Sequence, residues 1–200
     1  MLDSRIRPLI DPPLNAIGKG LARSGITANQ ATLAGALIGI GAGVAIGFRY
    51  YLLGLALVLL SRLFDGLDGA IARATAQSDF GGYLDIVSDF AFYVAVPIGF
   101  GFAASANLPF AMILIASFTL TGISFLAYAV LAAKAGRETD AHGKKSFFYN
   151  TGLAEGTETI IAFVLMCLLP QYFATIAVVY SAMCAITVIQ RTIAAKVDFP

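Results

Sequence analysis

Six apolar segments of roughly 20 residues each make up most of this 200-residue chain. They lie at about 28–48, 51–73, 80–104, 108–133, 152–169 and 172–194. A hydrocarbon layer of about 30 Å is crossed by a helix of about 20 residues. The composition agrees, because 58% of the residues are hydrophobic and only 12% are charged, against about 25% charged in soluble domains. The sequence therefore predicts an all-α integral membrane protein with six transmembrane helices.

The basic residues predict the orientation of these helices. If all six segments span, the following residues share one side: Arg5, Arg7, Lys19, Arg23, Arg73, Lys134, Arg137, Lys144, Lys145, Arg191 and Lys196. Arg49 alone falls on the other side, and Arg62 lies inside a span. By the positive-inside rule, both termini and the 74–79 and 134–151 loops are cytoplasmic. The net charge of +1 gives no basic surface of the kind that binds nucleic acid.

Residues 1–25 differ from the rest of the chain and are predicted to form a separate segment. Prolines occur at Pro8, Pro12 and Pro13. They predict that no long helix begins before Pro13, where a short helix could start. Leu14, Ile17 and Leu21 would then share one face, which is typical of an amphipathic helix in the membrane interface. A plain capping segment is the alternative.

The first apolar segment carries a ridge of glycines at every fourth position: Gly35, Gly39, Gly43 and Gly47. Such a ridge lets a neighbouring helix approach closely. We expect that neighbour to belong to the same chain, although the pattern also allows a homodimer.

The charged stretch between residues 61 and 89 contains five aspartates: Asp65, Asp68, Asp79, Asp85 and Asp89. All but Asp79 fall within predicted spans. An ionisable group at membrane depth costs at least ~2.5–3.5 kcal/mol on insertion scales, so such groups usually mark a functional site.

Helix geometry predicts that these four carboxylates meet. Asp65 and Asp68 share one helix face, as do Asp85 and Asp89. Folding the chain back near residue 77 brings Asp65 level with Asp89 and Asp68 level with Asp85. Hard divalent cations such as Mg²⁺, Mn²⁺ or Ca²⁺ would neutralise the converging charges, and four carboxylates could hold two ions, an arrangement suited to phosphate chemistry.

Small residues on both helices leave space beside the carboxylates: Gly66, Gly69, Ala70, Ala72, Gly81 and Gly82. Arg73 follows at the cytoplasmic end, where it could pair with a phosphate. The alternative interpretation is an ionic core in which Arg62 and Arg73 pair with the aspartates, but two arginines cannot neutralise four acids.

The same residues resemble the signature of the CDP-alcohol phosphotransferases, class I. The matching pattern is Asp65-x-x-Asp68-Gly69-x-x-Ala72-Arg73, seven further residues, and Gly81-x-x-x-Asp85-x-x-x-Asp89. All eight positions match. Thr27-Ala28-Asn29-x-x-Thr32 also resembles the family's Thr-Pro-Asn-x-x-Thr, with Ala28 in place of proline.

The resemblance implies an integral membrane enzyme of phospholipid synthesis. It would transfer a substituted phosphate from a CDP-linked lipid donor to an alcohol and release CMP. Two ions, Mg²⁺ or Mn²⁺, would be held by Asp65, Asp68, Asp85 and Asp89, with Asp89 also the general base. The donor would be bound by Asn29, Thr32, Asp68, Gly69, Ala72, Arg73 and Gly81. Residues 26–200 would then form the catalytic domain, with its site at the cytoplasmic face of a bacterial inner membrane.

The acceptor alcohol is less constrained. Lys134, Arg137 and Lys145, with Lys144 and His142, could bind a phosphorylated acceptor, but the positive-inside rule also explains this basic loop. Glu155 and Glu158 begin the fifth span. They either face the acceptor pocket or are present because the helix dipole favours acidic residues in a first turn.

Two other functions are compatible with parts of this pattern. One is the reverse pairing, in which a CDP-amino alcohol donates to diacylglycerol; such relatives are commonly longer than 200 residues. The other is a divalent-cation carrier, which would explain the four aspartates but not Arg73.

Overall fold

A computed structural model describes residues 3–136 and 152–199, with the side chains of residues 3–7 left aside. The described residues form seven α-helices and no strand. The helices are α1 (Asp3–Arg23), α2 (Ala28–Gly47), α3 (Tyr51–Ala74), α4 (Asp79–Ala103), α5 (Leu108–Lys134), α6 (Gly156–Leu168) and α7 (Phe173–Asp198). Short 3-10 turns, Ser105–Asn107 and Pro170–Tyr172, precede α5 and α7. The all-α prediction is confirmed.

Six helices occur where six spans were predicted, but only four are long and apolar enough to cross a membrane by length and composition. Those four are α2, α4, α5 with its preceding turn, and α7 with its preceding turn. Helix α3 has the length, but it carries the charged residues of the acidic stretch. Helix α6 has 13 residues and would reach about 20 Å at 1.5 Å per residue. The count of six spans and the cytoplasmic termini therefore stay predictions.

The glycine ridge of α2 packs inside the molecule, as expected. A Cβ at Gly35 would lie 3.4 Å from the Ser61 carbonyl oxygen of α3. A Cβ at Gly43 would lie against the Ala95 carbonyl oxygen of α4, and one at Gly99 against the Gly43 carbonyl oxygen. Because no side chain intervenes, α2 contacts both α3 and α4 backbone to backbone.

Aromatic side chains fill the core between α4 and the C-terminal helices. Phe100 stacks on Phe173 with ring centroids 4.6 Å apart. Phe163 meets Phe92 edge-on at 5.4 Å and Phe118 at 5.9 Å. This core joins α4, α5, α6 and α7.

Helix α1 corrects the prediction for the N-terminal segment, because it begins at Asp3 and continues through all three prolines. Proline's fixed φ is itself helical, and Pro12 and Pro13 are exposed, where carbonyls that lack a helical donor can be solvated. Gly18 packs directly on Ala70 of α3, where a Cβ would lie 2.7 Å from the Ala70 Cβ. Ile17 stays half exposed at 51%. The interfacial role of α1 remains a prediction.

Candidate active site

A cavity of about 370 Å³ lies beside α2 and receives side chains from α2 through α7. One end is lined by the glycines and carboxylates of α3 and α4. The other end is lined by residues of α5, α6 and α7, including Glu155 and Arg191. A single cavity therefore connects the acidic stretch with Glu155, one of the residues predicted to contact the acceptor.

Three of the four predicted carboxylates converge. One oxygen each from Asp65, Asp68 and Asp85 lie within 4.8 Å of one another. Asp68 is buried, and its Oδ2 accepts a hydrogen bond of 2.6 Å from the Thr32 hydroxyl. This Thr32 contact links the start of α2 to the acidic group. Three hard oxygen donors at this spacing fit a divalent cation such as Mg²⁺ or Mn²⁺.

Asp89 is not part of that group of three, although all four carboxylates were expected to meet. Its Oδ1 accepts a 2.7 Å hydrogen bond from Nη1 of Arg62. The same Nη1 is 3.7 Å from Asp65 Oδ1. Asp89 lines the cavity. Arg62 lies one turn before Asp65 on α3, and its guanidinium is the counter-charge that pairs with Asp89. The ionic-core interpretation is thus correct in part, because Arg62 pairs closely with one carboxylate, Asp89, and not with all four.

The predicted donor residues lie together along one wall of the cavity, which is lined by Asn29, Thr32, Asp68, Gly69, Ala72, Arg73 and Gly81. A Cβ at Gly69 would come within 3.2 Å of Arg73 Nη1, and one at Gly81 within 3.3 Å of Asn29 Oδ1. Arg73 donates from Nε and Nη2 to Asn15 Oδ1 of α1, at 3.1 and 2.9 Å. Because neither glycine carries a side chain, the cavity wall stays open beside Arg73 and beside Asn29.

The opposite end of the cavity is built around Glu155, which is 6% exposed and precedes α6. Its Oε1 accepts a hydrogen bond of 3.0 Å from the Gly152 amide. Thr159 Oγ1 and the Tyr180 hydroxyl lie 2.6 Å apart, and both line the cavity. The Glu155 side chain thus supports the backbone turn before α6 while lying at the cavity wall.

The other predicted acceptor residues are placed differently. Glu158 lies in the first turn of α6 and is not among the described residues that line the cavity. Lys134 is exposed at the last turn of α5. Arg137, His142, Lys144 and Lys145 lie outside the residues that the structure describes.

The sequence interpretation missed two residues of this site. Arg191 is 5% exposed, lines the cavity, and donates from Nη1 to the Thr121 carbonyl oxygen at 3.0 Å. It was counted only as a marker of orientation, although a charge inside an apolar segment is a signal for a site. Arg62 was expected to lie inside a span and to pair with carboxylates.

Comparison with known proteins agrees with the signature. A model of the CDP-alcohol phosphatidyltransferase family matches residues 25–193. This chain belongs to the CDP-alcohol phosphatidyltransferase family. It is therefore a transferase of phospholipid biosynthesis, which confirms the enzyme prediction and sets the cation carrier aside.

Two relatives in sequence are similar over different lengths. Inner membrane protein YnjF of Escherichia coli (strain K12) is 45% identical over 192 residues, covering 96% of this chain and 93% of the relative. Archaetidylinositol phosphate synthase of Pyrococcus horikoshii is 44% identical over 87 residues, covering 43% of this chain and 46% of the relative.

Solved structures of phosphatidylinositol phosphate synthase from Mycobacterium tuberculosis share the fold. The complex with manganese and citrate superposes with a TM-score of 0.64 at 22% identity, covering 90% of this chain and 87% of the other. The form with CDP-DAG bound gives 0.62 at 22% identity, covering 90% and 91%. At this identity the likeness concerns the fold.

Proposed function

We propose that this protein transfers a phosphatidyl group from CDP-diacylglycerol to the hydroxyl of an alcohol and releases CMP. The single observation that carries the proposal is one cavity joining the three-carboxylate group, a glycine-cleared wall and the Glu155 end. A solved relative in fold is described with CDP-DAG bound, which supports this donor. The reverse pairing has no comparable observation in its favour.

Asp65, Asp68 and Asp85 would hold a divalent metal, and Asp89 would contribute to a second one. Manganese accompanies a structure of similar fold, and Mg²⁺ suits the same oxygen donors. When bound, the metals would neutralise the diphosphate and stabilise CMP as it leaves. Thr32 would hold Asp68 in position through its 2.6 Å hydrogen bond.

The glycine-cleared wall would bind the nucleotide end of the donor. Gly69 and Gly81, with Ala72, would let the nucleotide lie against the backbones of α3 and α4. Arg73 would pair with the diphosphate, for which its hydrogen bonds to Asn15 preposition it. Asn29 would contribute a polar contact from α2.

Asp89 would act as the general base, because it lines the cavity and its side chain is 29% exposed. The acceptor oxygen forms a bond to the phosphorus that carries diacylglycerol, and its proton passes to the Asp89 carboxylate. The bond from that phosphorus to the bridging oxygen breaks, and this oxygen leaves with CMP. The atoms balance without a further reactant.

Glu155 would contact the acceptor in the part of the cavity that α6 and α7 line. Lys134, Arg137 and Lys145 are proposed to assist from the cytoplasmic loop if the acceptor carries a phosphate. Glu158 is proposed to act from the first turn of α6. The protein would lie in an inner membrane, as the name of the Escherichia coli relative suggests, and its site would open at the cytoplasmic face, as the basic residues predict.

The test is CMP release by the purified protein in detergent, with Mn²⁺ or Mg²⁺ and a panel of alcohols. CDP-diacylglycerol is compared with a CDP-amino alcohol plus diacylglycerol. We expect release only from CDP-diacylglycerol and only with a suitable alcohol. Release from the CDP-amino alcohol alone would favour the reverse pairing, and no release from either donor would overturn both.

A further inference from the structure

Arg62 is a buried cation next to the acidic group, and it belongs to none of the eight signature positions. Its side chain is 11% exposed. The guanidinium lies over the Phe92 ring, 4.0 Å from the centroid, and 5.9 Å from that of Tyr93. A charge held against aromatic faces inside a predicted span is costly unless it has a specific partner.

That partner is Asp89, and one further guanidinium nitrogen contacts Ser61, where α3 packs on α2. Nη1 donates to Asp89 Oδ1 at 2.7 Å. Nη2 lies 3.3 Å from Ser61 Oγ, which in turn donates to the Gly35 carbonyl oxygen at 2.8 Å. Arg62 is thus held on the glycine ridge of α2 while it reaches Asp89 on α4.

The position of Arg62 also affects the three-carboxylate group. Its Nη1 lies 3.7 Å from Asp65 Oδ1, so it is close to whatever cation that group holds. Two positive charges at such a distance repel. Asp89, the fourth carboxylate, is at the same time engaged by Arg62 and lies outside the group of three.

We propose that Arg62 is a positioning residue that holds Asp89 as a base and weakens metal binding at the adjacent carboxylates. Arg62 engages Asp89 Oδ1, so the other carboxylate oxygen would take the proton or contribute to the second metal. The role in positioning rests on the proposed function, whereas the effect on metal binding does not.

The test measures Mn²⁺ affinity and CMP release separately. Free Mn²⁺ is counted by electron paramagnetic resonance in titrations of metal-depleted protein in detergent. We expect Arg62→Gln to bind Mn²⁺ at least about tenfold more tightly, because a repelling charge is lost and Asp89 no longer shares an oxygen with a guanidinium. CMP release should fall at least about a hundredfold, the order of a lost general base. A residue that only supports the fold would not strengthen metal binding.

Two control variants isolate the position and the charge. Arg62→Lys keeps the positive charge, so its Kd for Mn²⁺ should stay within about threefold of wild type. Arg49→Gln makes the same change in net charge at the far end of α2, where Arg49 Nε donates to the Ala103 carbonyl oxygen. Its Mn²⁺ affinity should equal that of wild type.

A double variant keeps the proposal testable if Arg62→Gln does not fold. Arg62→Gln combined with Asp89→Asn leaves neither charge buried alone, and its Kd for Mn²⁺ should return to within about threefold of wild type. A tenfold change in the double variant, or equal or weaker Mn²⁺ binding by Arg62→Gln, would overturn the proposal.

The outcomes also separate this inference from the proposed function. Wild type without Mn²⁺ binding would overturn both. Wild type that binds Mn²⁺ but releases no CMP, with Arg62→Gln binding more tightly, would overturn the proposed function and retain the effect on metal binding.

Discussion

At the scale of single residues, we expect the chemistry to depend most on Asp89. We expect Asp89→Asn to lower CMP release by about 10²–10⁴-fold, because a general base contributes that much. The fold should be retained, since the amide remains polar beside Arg62. The measurement is initial rate together with the thermal unfolding midpoint. Asp79→Asn is the matched control, because Asp79 is an exposed aspartate at the start of the same helix. Equal losses in both variants would contradict the assignment.

Substitution of Glu155 should change the kinetics of the acceptor more than those of the donor. Glu155 lines the cavity just before α6, whereas the glycine-cleared wall belongs to α3 and α4. We expect Glu155→Gln to raise the KM for the acceptor at least about fivefold, the effect of roughly 1 kcal/mol, with the KM for CDP-diacylglycerol changed less than twofold. Unchanged acceptor kinetics would leave Glu155 only its contact with the Gly152 amide.

Sequence reasoning placed the acidic residues well and their partners poorly. Helix periodicity alone brings Asp65, Asp68 and Asp85 together, since it depends only on spacing. Asp89 pairs with Arg62 and is not part of the three-carboxylate group. The Arg62 guanidinium in turn lies over the ring of Phe92, on another helix. Spacing along the chain holds no information about such a contact.

At the scale of helices, the glycine ridge of α2 sets how closely α4 approaches. A Cβ at Gly43 would overlap the Ala95 carbonyl oxygen, whereas one at Gly41 meets nothing within 4 Å. We expect Gly43→Ala to destabilise the fold by about 1–3 kcal/mol through overpacking. Gly41→Ala, on the same helix, should be neutral or stabilising by up to ~1 kcal/mol. Denaturation in detergent compares the two, and equal stabilities would contradict the tight α2–α4 contact.

The helix boundaries show where sequence reasoning is limited. The spacing of the ridge and the length of the apolar segments predicted α2, α4, α5 and α7, because both are local properties. The start of α1 was wrong, because exposed prolines did not prevent the helix. Helix α6 starts only at Gly156. Just before it, the Ala154 amide donates to Thr187 Oγ1 of α7 at 2.8 Å, and these two residues are far apart in sequence.

At the scale of the whole molecule, the positive-inside pattern predicts a cytoplasmic site. Lys134 lies in the last turn of α5, on the predicted cytoplasmic side, and Phe48, which is 73% exposed, follows α2 on the predicted opposite side. A membrane-impermeant maleimide should label Lys134→Cys in inside-out vesicles and Phe48→Cys in right-side-out vesicles. Cys167 and Cys184 are buried, so the background should be low. The reverse labelling would place the site on the opposite face.

The central claim is that the phosphatidyl group moves as a unit from CDP-diacylglycerol to an alcohol. Mass spectrometry of the lipid products tests it most directly, using CDP-diacylglycerol of defined acyl chains and an ¹⁸O-labelled acceptor hydroxyl. The account predicts a phospholipid that retains both acyl chains and the ¹⁸O label, formed in equal amount with unlabelled CMP. Label in CMP, or a cytidyl group attached to the acceptor, would contradict it.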